Sequence, residues 1–210
     1  MGRIVKRIVL TGGPCAGKSD SLESVEKFLM YKGYIVYTVQ ESATELIKSG
    51  IKPFGDGAID MEQFQDIIMK YQLYKEKLVN KVANIFNGDK EIIILYDRGL
   101  MDNKSYISEE VFNNLLIKFN LSEMDILDRY DLVIHLETAA KGNCYTKENN
   151  EARSEDKIKA IEMDNKNYYA WSKHNNLEYV KFYDDFKDKQ RELLSIIEKN
   201  LAKSKKLVLK

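Results

Sequence analysis

The chain predicts an α/β fold, a five-stranded parallel sheet covered by helices on both faces and carrying a polar lid segment. Three observations carry this. Strand-like and helix-like runs alternate along the 210 residues, the order that βαβ units produce. The strand-like runs are dominated by Val, Ile and Leu, as strands buried on both faces require. A glycine-rich turn at residues 12–19 joins the first strand directly to a helix.

Strand one spans about Arg3–Thr11, and residues 20–32 have the spacing of an amphipathic helix. Gly33 marks the turn into strand two, Tyr34–Val39. Just after it, Ser42 and Glu45 fit a capping box with Ser42 as N-cap. A long helix fits Asp60–Phe86. There Phe64, Ile67, Ile68, Tyr71, Leu78, Val82 and Ile85 recur at helical spacing, and core packing is the reading of that stripe. Strand three, Glu91–Tyr96, is the most strand-like run and leads into Asp97. Ser108 is expected to cap a helix running to Phe119, followed by a turn to Asp131. Asp131–Leu136 and Leu177–Phe182 are strands four and five. Helices are expected at Asp156–His174 and at Phe186–Ala202. His135, mid-strand, reads as a core histidine, and His174 as a cap on the last carbonyls of its helix. Residues 138–155 are polar and contain Gly142, Asn149 and Asn150, so they are expected to lie exposed over the site as a lid. The expectation is one domain over 1–202, followed by a basic, frayed tail over 203–210.

Composition narrows the function classes. Lys+Arg and Asp+Glu both count 33, so no net field draws the chain to nucleic acid or to an anionic membrane. Two cysteines, Cys15 and Cys144, are too few for a disulfide framework or a zinc site. The first ten residues lack the apolar run of a signal peptide, and no stretch reaches transmembrane length, so a cytoplasmic protein is expected. No feature of the sequence sets an oligomeric state.

Gly12 to Ser19 satisfy G-x-x-x-x-G-K-[ST] at every fixed position, the phosphate-binding loop of P-loop NTPases. Glycines let backbone N–H groups curl around an anion, and the following helix adds its positive N-terminal end. The expected nucleotide contacts are therefore Gly12, Gly13, Pro14, Cys15, Ala16, Gly17, Lys18, Ser19 and Asp20. Lys18 would reach the β- and γ-phosphates, and the Ser19 hydroxyl would ligate Mg²⁺.

Asp97 ends a buried strand, where open α/β sheets bind ligands. It would hold Mg²⁺ or take a proton from the acceptor, unless Asp97 and Arg98 only close the strand. Arg98 would grip the substrate through its planar fork. Glu41, just after strand two, is a second candidate for the general base on an accepting hydroxyl. The polar segment brings Lys141, Lys147 and Arg153, and an arginine carried over a γ-phosphate by a lid would neutralise transition-state charge.

Several longer stretches resemble one group of P-loop proteins. They are TGGPCAGKS at 11–19, ESATELI at 41–47, YDRGLMDNKSY at 96–106, HLETAAKG at 135–142, YTKENNEARSE at 145–155 and AWSKHNNLEYV at 170–180. The group includes the nicotinamide riboside kinase domain of bacterial NAD-metabolism regulators and the GTP-binding TRPL-translocation-defect proteins of animals. The resemblance implies an AAA-type, thymidylate-kinase-like P-loop fold that binds ATP or GTP, with Asp97, Arg98, Asp102 and Arg153 at the site. The chain departs from the group's pattern at Gly142-Asn-Cys-Tyr145, which is shorter and lacks an acidic residue.

Two functions fit. One is a phosphotransferase of the nucleoside- and nucleotide-kinase type, moving the γ-phosphoryl of Mg·ATP or Mg·GTP to a small hydroxyl acceptor. The other is a regulatory ATP- or GTP-binding protein with slow or no hydrolysis, its lid serving as the switch. The base-reading N-K-x-D motif of translational-type GTPases and the LSGGQ signature of ABC proteins are both absent from the sequence.

Overall fold

A computed structural model describes residues 5–142 and 151–208, with side chains described over 5–142 and 156–203. Five parallel strands form one sheet in the order β2-β3-β1-β4-β5. They are β1 (Val5–Thr11), β2 (Ile35–Val39), β3 (Ile92–Asp97), β4 (Leu132–Leu136) and β5 (Leu177–Val180). The helices between and after them are α1 (Lys18–Tyr31), α2 (Ser42–Lys48), α3 (Met61–Ile85), α4 (Glu109–Lys118), α5 (Glu123–Leu127), α6 (Glu151–Ala170) and α7 (Phe186–Val208). Short 3₁₀ turns follow β3 at Leu100–Ser105 and β4 at Ala139–Lys141.

Both faces of the sheet are covered, which is why the central strands carry no polar alternation. All residues of β3 and β4 are buried. On one face Ile8 and Leu10 of β1, Ile93 and Leu95 of β3 and Ile134 of β4 meet Leu22, Val25 and Leu29 of α1 and Leu193 and Ile197 of α7. On the other face Val9, Ile92, Ile94, Tyr96 and Val133 pack with Met69 of α3, Phe112 of α4, Ile126 of α5 and Trp171. Neighbouring strands β1 and β4 thus send their following helices to opposite faces. That reversal leaves a crevice at their C-terminal ends, the usual ligand position in such sheets. The register sets Asp97 beside Leu10 and His135 beside Thr11, so both flank the start of the glycine-rich loop.

The elements match the expected order, with physical differences in detail. Asp60 caps α3 by accepting from Glu62 N at 2.7 Å, and Ser108 caps α4 by accepting from Val111 N. The α2 capping box does not form. Glu41 is the N-cap residue, Ser42 Oγ is buried without a hydrogen-bond partner, and Glu45 turns outward to pair with Lys75. The apolar stripe of α3 is core only in its first half. Phe64 and Ile68 are buried, whereas Leu78, Val82 and Ile85 are exposed. The buried face there runs through Met69, Gln72, Glu76 and Ala83, because Glu76 accepts from Tyr130 Oη at 2.6 Å and from Arg129 Nε at 2.9 Å. A polar network holds that half of the helix to the sheet.

The turn expected before β4 contains α5, whose cap is a reciprocal pair of Ser122 and Asp125. The expected lid also divides. Thr138, Ala140 and Gly142 are buried against the core, since Thr138 Oγ1 donates to Pro14 O at 2.5 Å and Ala139 N to Cys15 O at 3.1 Å. Residues 143–150 lie outside the described residues, and 151–155 form the first turn of α6. His135 is a buried core residue as expected, stacked on Tyr179 with Nε2 3.1 Å from Asp164. His174 does not cap α6. Its Nε2 bonds to Tyr130 O at 2.9 Å, and its Nδ1 accepts from Asn176 N. Helix α7 extends to Val208, into the expected basic tail.

Candidate active site

The loop between β1 and α1 is shaped by contacts a side chain would break. Gly12 has φ +142°, and a Cβ there would lie 2.2 Å from Leu136 O, so only glycine fits. Pro14, Cys15, Ser19 and Asp20 are exposed along the loop, and Ala16 is buried beneath it. Ala16 O is held by the buried Lys189 of α7, whose Nζ donates to it at 2.8 Å and to Glu137 O at 2.7 Å. Lys18 Nζ donates to Gly12 O at 3.0 Å and to Gly13 O at 2.8 Å, which draws the ammonium back over the loop.

Around that ammonium stand three carboxylates and one guanidinium. Arg98, at φ +68°, donates from Nε to Glu41 Oε1 at 2.5 Å and from Nη1 to Asp102 Oδ1 and Gly12 O, each at 3.2 Å. Its unusual backbone is fixed from both sides, by Arg98 N donating to Leu10 O and by Gln72 Nε2 donating to Arg98 O at 3.2 Å. Asp102 is saturated. It accepts from Thr11 Oγ1 at 2.5 Å, Gly99 N at 2.9 Å and Trp171 Nε1 at 3.2 Å besides Arg98. Glu41 also accepts from Thr44 Oγ1.

These partners set the charges. Burial pushes Glu41 upward, but Arg98, the Thr44 hydroxyl and Lys18 outweigh it and hold the carboxyl below its ordinary range. Asp97 is 9 % exposed, and burial, aided by the nearby Glu41 charge, pushes it up to about 6. Lys18 is pushed down to about 8, first by burial and then by repulsion from Arg98. Clustered titratable groups with opposing shifts are a mark of functional sites.

Asp97 Oδ1 is buried and has no hydrogen-bond partner. A hard oxygen left orphaned beside a phosphate loop suits Mg²⁺, which takes one or two protein oxygens and leaves the rest to phosphates and water. The Ser19 hydroxyl, exposed in the loop, is another hard oxygen that could ligate Mg²⁺. Among the described residues no group of three or more His, Cys, Asp or Glu could hold a metal by itself.

Beyond Glu41 and Arg98 opens a cavity of about 300 Å³. Its walls are the apolar side chains of Ile47, Phe54, Met61, Phe64 and Ile68, with Gln65, Asn103 and Tyr106 adding polar edges. Glu41, Arg98 and Asp102 form the end nearest the loop, and Arg98 is the one cation among the lining residues. Asp97 does not line it.

A family model described as an AAA domain matches residues 7–189, most of the chain. The chain belongs to that family. A search of the curated proteins gives no match. This AAA domain has the strand–loop–helix context that the P-loop motif requires, and the family with the fold makes it a nucleotide-binding P-loop domain. Among its described residues no helix is long and apolar enough to cross a membrane.

Lys18, Asp97, Arg98 and Glu41, expected from sequence to act together, converge at the loop. Arg153 falls in the first turn of α6, and its side chain is outside the described residues. Sequence reasoning did not single out Asp164, Asn167 or Lys189. All three are buried and bonded to loop backbone. Each comes from a helix more than 150 residues beyond the loop it touches, so no local pattern announces it.

Proposed function

We propose that this AAA domain is a phosphotransferase that moves the γ-phosphoryl group of bound ATP or GTP to a hydroxyl of a small acceptor, a nucleoside in preference to a nucleotide. The observation that carries the reading is the cavity beyond Glu41 and Arg98, apolar along its walls and ending at a carboxylate beside the P-loop. A protein that only switched on nucleotide binding would need no such chamber. Pockets of this kind suit a flat apolar ring oriented by a few polar groups. A phosphorylated acceptor would need a basic clamp, and among the described residues Arg98 is the one cation lining the cavity and is already engaged by Glu41 and Asp102. The resemblance to nicotinamide riboside kinase domains points the same way.

Glu41 lines the cavity and Asp97 does not. That division makes Glu41 the general base on the acceptor hydroxyl and Asp97, with Ser19, the holder of Mg²⁺. When bound, Mg²⁺ supplies charge neutralisation on the β- and γ-phosphates. Lys18 binds the same phosphates, and Arg98 keeps Glu41 aimed and ionised. Arg153 is assigned the charge that develops on the transferred group, a role that rests on the family resemblance and on its place in the first turn of α6. Such chemistry needs mostly positioning and electrostatics, which residues from several strand ends can provide.

The test is transfer of label from γ-labelled ATP and GTP to a panel of nucleosides and nucleotides. Stoichiometric transfer to a nucleoside, lost in Glu41→Gln while nucleotide binding persists, is the expected result. Phosphate release without any labelled acceptor would overturn the kinase reading and favour the regulatory one.

A further inference from the structure

The phosphate loop is gripped from behind by α6. Asp164 is fully buried in that helix, and its Oδ1 accepts from Gly13 N at 2.9 Å and from Thr138 N at 3.2 Å. The same oxygen lies 3.1 Å from His135 Nε2, and Oδ2 pairs with Lys141 Nζ at 3.1 Å. Three residues further along α6, on the same face, Asn167 Nδ2 donates to Gly12 O at 3.3 Å. Gly12 C=O and Gly13 N–H are the two ends of one peptide group. One helix therefore holds both poles of that peptide, and Lys18 Nζ and Arg98 Nη1 share the carbonyl pole.

A peptide between two glycines has little steric resistance to flipping over. A flip would turn the Gly12 carbonyl toward Asp164 and take it away from Lys18, Arg98 and Asn167. An ionised carboxylate can only accept hydrogen bonds, so it repels that carbonyl and admits one orientation alone. Burial pushes the Asp164 carboxyl upward, but His135, the Gly13 N–H and Lys141 outweigh it and hold it below its ordinary range, which keeps it in the acceptor-only form. The closeness of the grip also accounts for the second glycine, which the P-loop motif leaves open. A Cβ at Gly13 would lie 2.7 Å from Asp164 Cβ and 2.9 Å from Asp164 Cα.

We propose that Asp164 is a positioning residue that locks the Gly12–Gly13 peptide, and through its carbonyl Lys18, in the orientation that receives the nucleotide phosphates. Asn167 completes the lock from the carbonyl side. The proposal rests on the nucleotide-binding reading of the loop and is independent of what the acceptor is.

The isosteric Asp164→Asn variant tests it, because an amide can turn its NH₂ to a flipped carbonyl and so accommodates both peptide orientations. Its affinity for ATP or GTP should fall roughly tenfold as the binding-competent loop becomes a minor population. The Gly13 amide is read by ¹⁵N-resolved NMR in the nucleotide-free protein. In the wild type it should be shifted downfield and protected from exchange, and in Asp164→Asn it should move upfield and exchange faster. A role confined to fold stability would lower the melting temperature without moving the Gly13 amide relative to its neighbours. Unchanged affinity and an unchanged Gly13 amide in a folded Asp164→Asn protein would overturn the proposal. If that variant does not fold, the wild-type measurement decides, since a rapidly exchanging Gly13 amide overturns the lock and a protected one upholds it. Failure of the wild type to bind nucleotide would sink the P-loop reading instead, and the Gly13 amide is measured without nucleotide, so the two failures are separable.

Discussion

Asp97 stands between two demands. Its buried, unpartnered oxygen is what a metal requires, and the same burial makes its charge costly to the protein alone. The sign follows from linkage. The folded state holds the Asp97 proton more tightly than the unfolded chain, with a pKa of about 6 against about 3.9 for an ordinary aspartate. This contribution to stability is complete below the lower value and lost as pH rises through about 6, a difference on the order of 2–3 kcal/mol. Asp97→Asn is therefore expected to raise the melting temperature of the nucleotide-free protein at pH 7, to change it little at pH 4, and to abolish Mg²⁺-dependent turnover. A lowered melting temperature with activity retained would make Asp97 a structural strand end. Lys18, pushed down to about 8, should lose its ammonium charge earlier than an ordinary lysine. For the free enzyme, kcat/KM is expected to rise through about pH 6 and fall above about pH 8. Lys18→Ala should remove tight triphosphate binding while circular dichroism stays unchanged. At this scale the sequence was informative wherever chemistry is local. The loop, Asp97-Arg98 and Glu41 are motifs or strand ends, whereas Asp164 and Asn167 act across 151 and 155 residues of chain.

Among the elements, α3 shows most plainly where pattern reading stops. Its apolar spacing predicts one buried stripe, yet the helix turns Gln72 and Glu76 inward and leaves Leu78, Val82 and Ile85 in solvent. The buried carboxylate is invisible to a hydrophobicity pattern because its partners, Arg129 and Tyr130, lie 53 and 54 residues away. Removing it would leave the half-buried Arg129 guanidinium and the buried Tyr130 hydroxyl without this partner. Glu76→Ala is expected to destabilise the fold by about 1–3 kcal/mol, readable as a fall in the urea midpoint. The opposite end of α3 walls the cavity. Phe64→Ala should raise the acceptor KM several-fold with nucleotide affinity unchanged, and an equal loss of both would mean the residue serves packing alone. Helix α2 teaches a smaller lesson. The string S-x-x-E fits a capping box, but Glu41 is drawn to Arg98 and Glu45 to Lys75, and tertiary ion pairs outcompete a local cap worth about 1 kcal/mol.

Across the whole molecule, the sheet and its order of elements were legible because both-face burial writes itself into every strand. Within the expected lid, Thr138 and Ala139 bond to the phosphate loop, because polarity alone does not separate an exposed segment from one whose polar groups are satisfied by that loop. The buttress supplied by α7 has a further consequence for how the protein comes into being. Chains leave the ribosome N-terminus first, at roughly 5–20 residues per second, so the P-loop emerges well before the helices that grip it. Its strand β1 lies at the centre of the sheet and waits for β3 and β4 to flank it. The loop itself waits longer, for Asp164 and finally for Lys189 to reach Gly13 and Ala16. A nascent chain stalled before residue 186 is therefore expected to expose the complete Walker sequence without retaining nucleotide. Emergence of α7 should switch retention on, a transition that ribosome-bound chains of graded length would reveal.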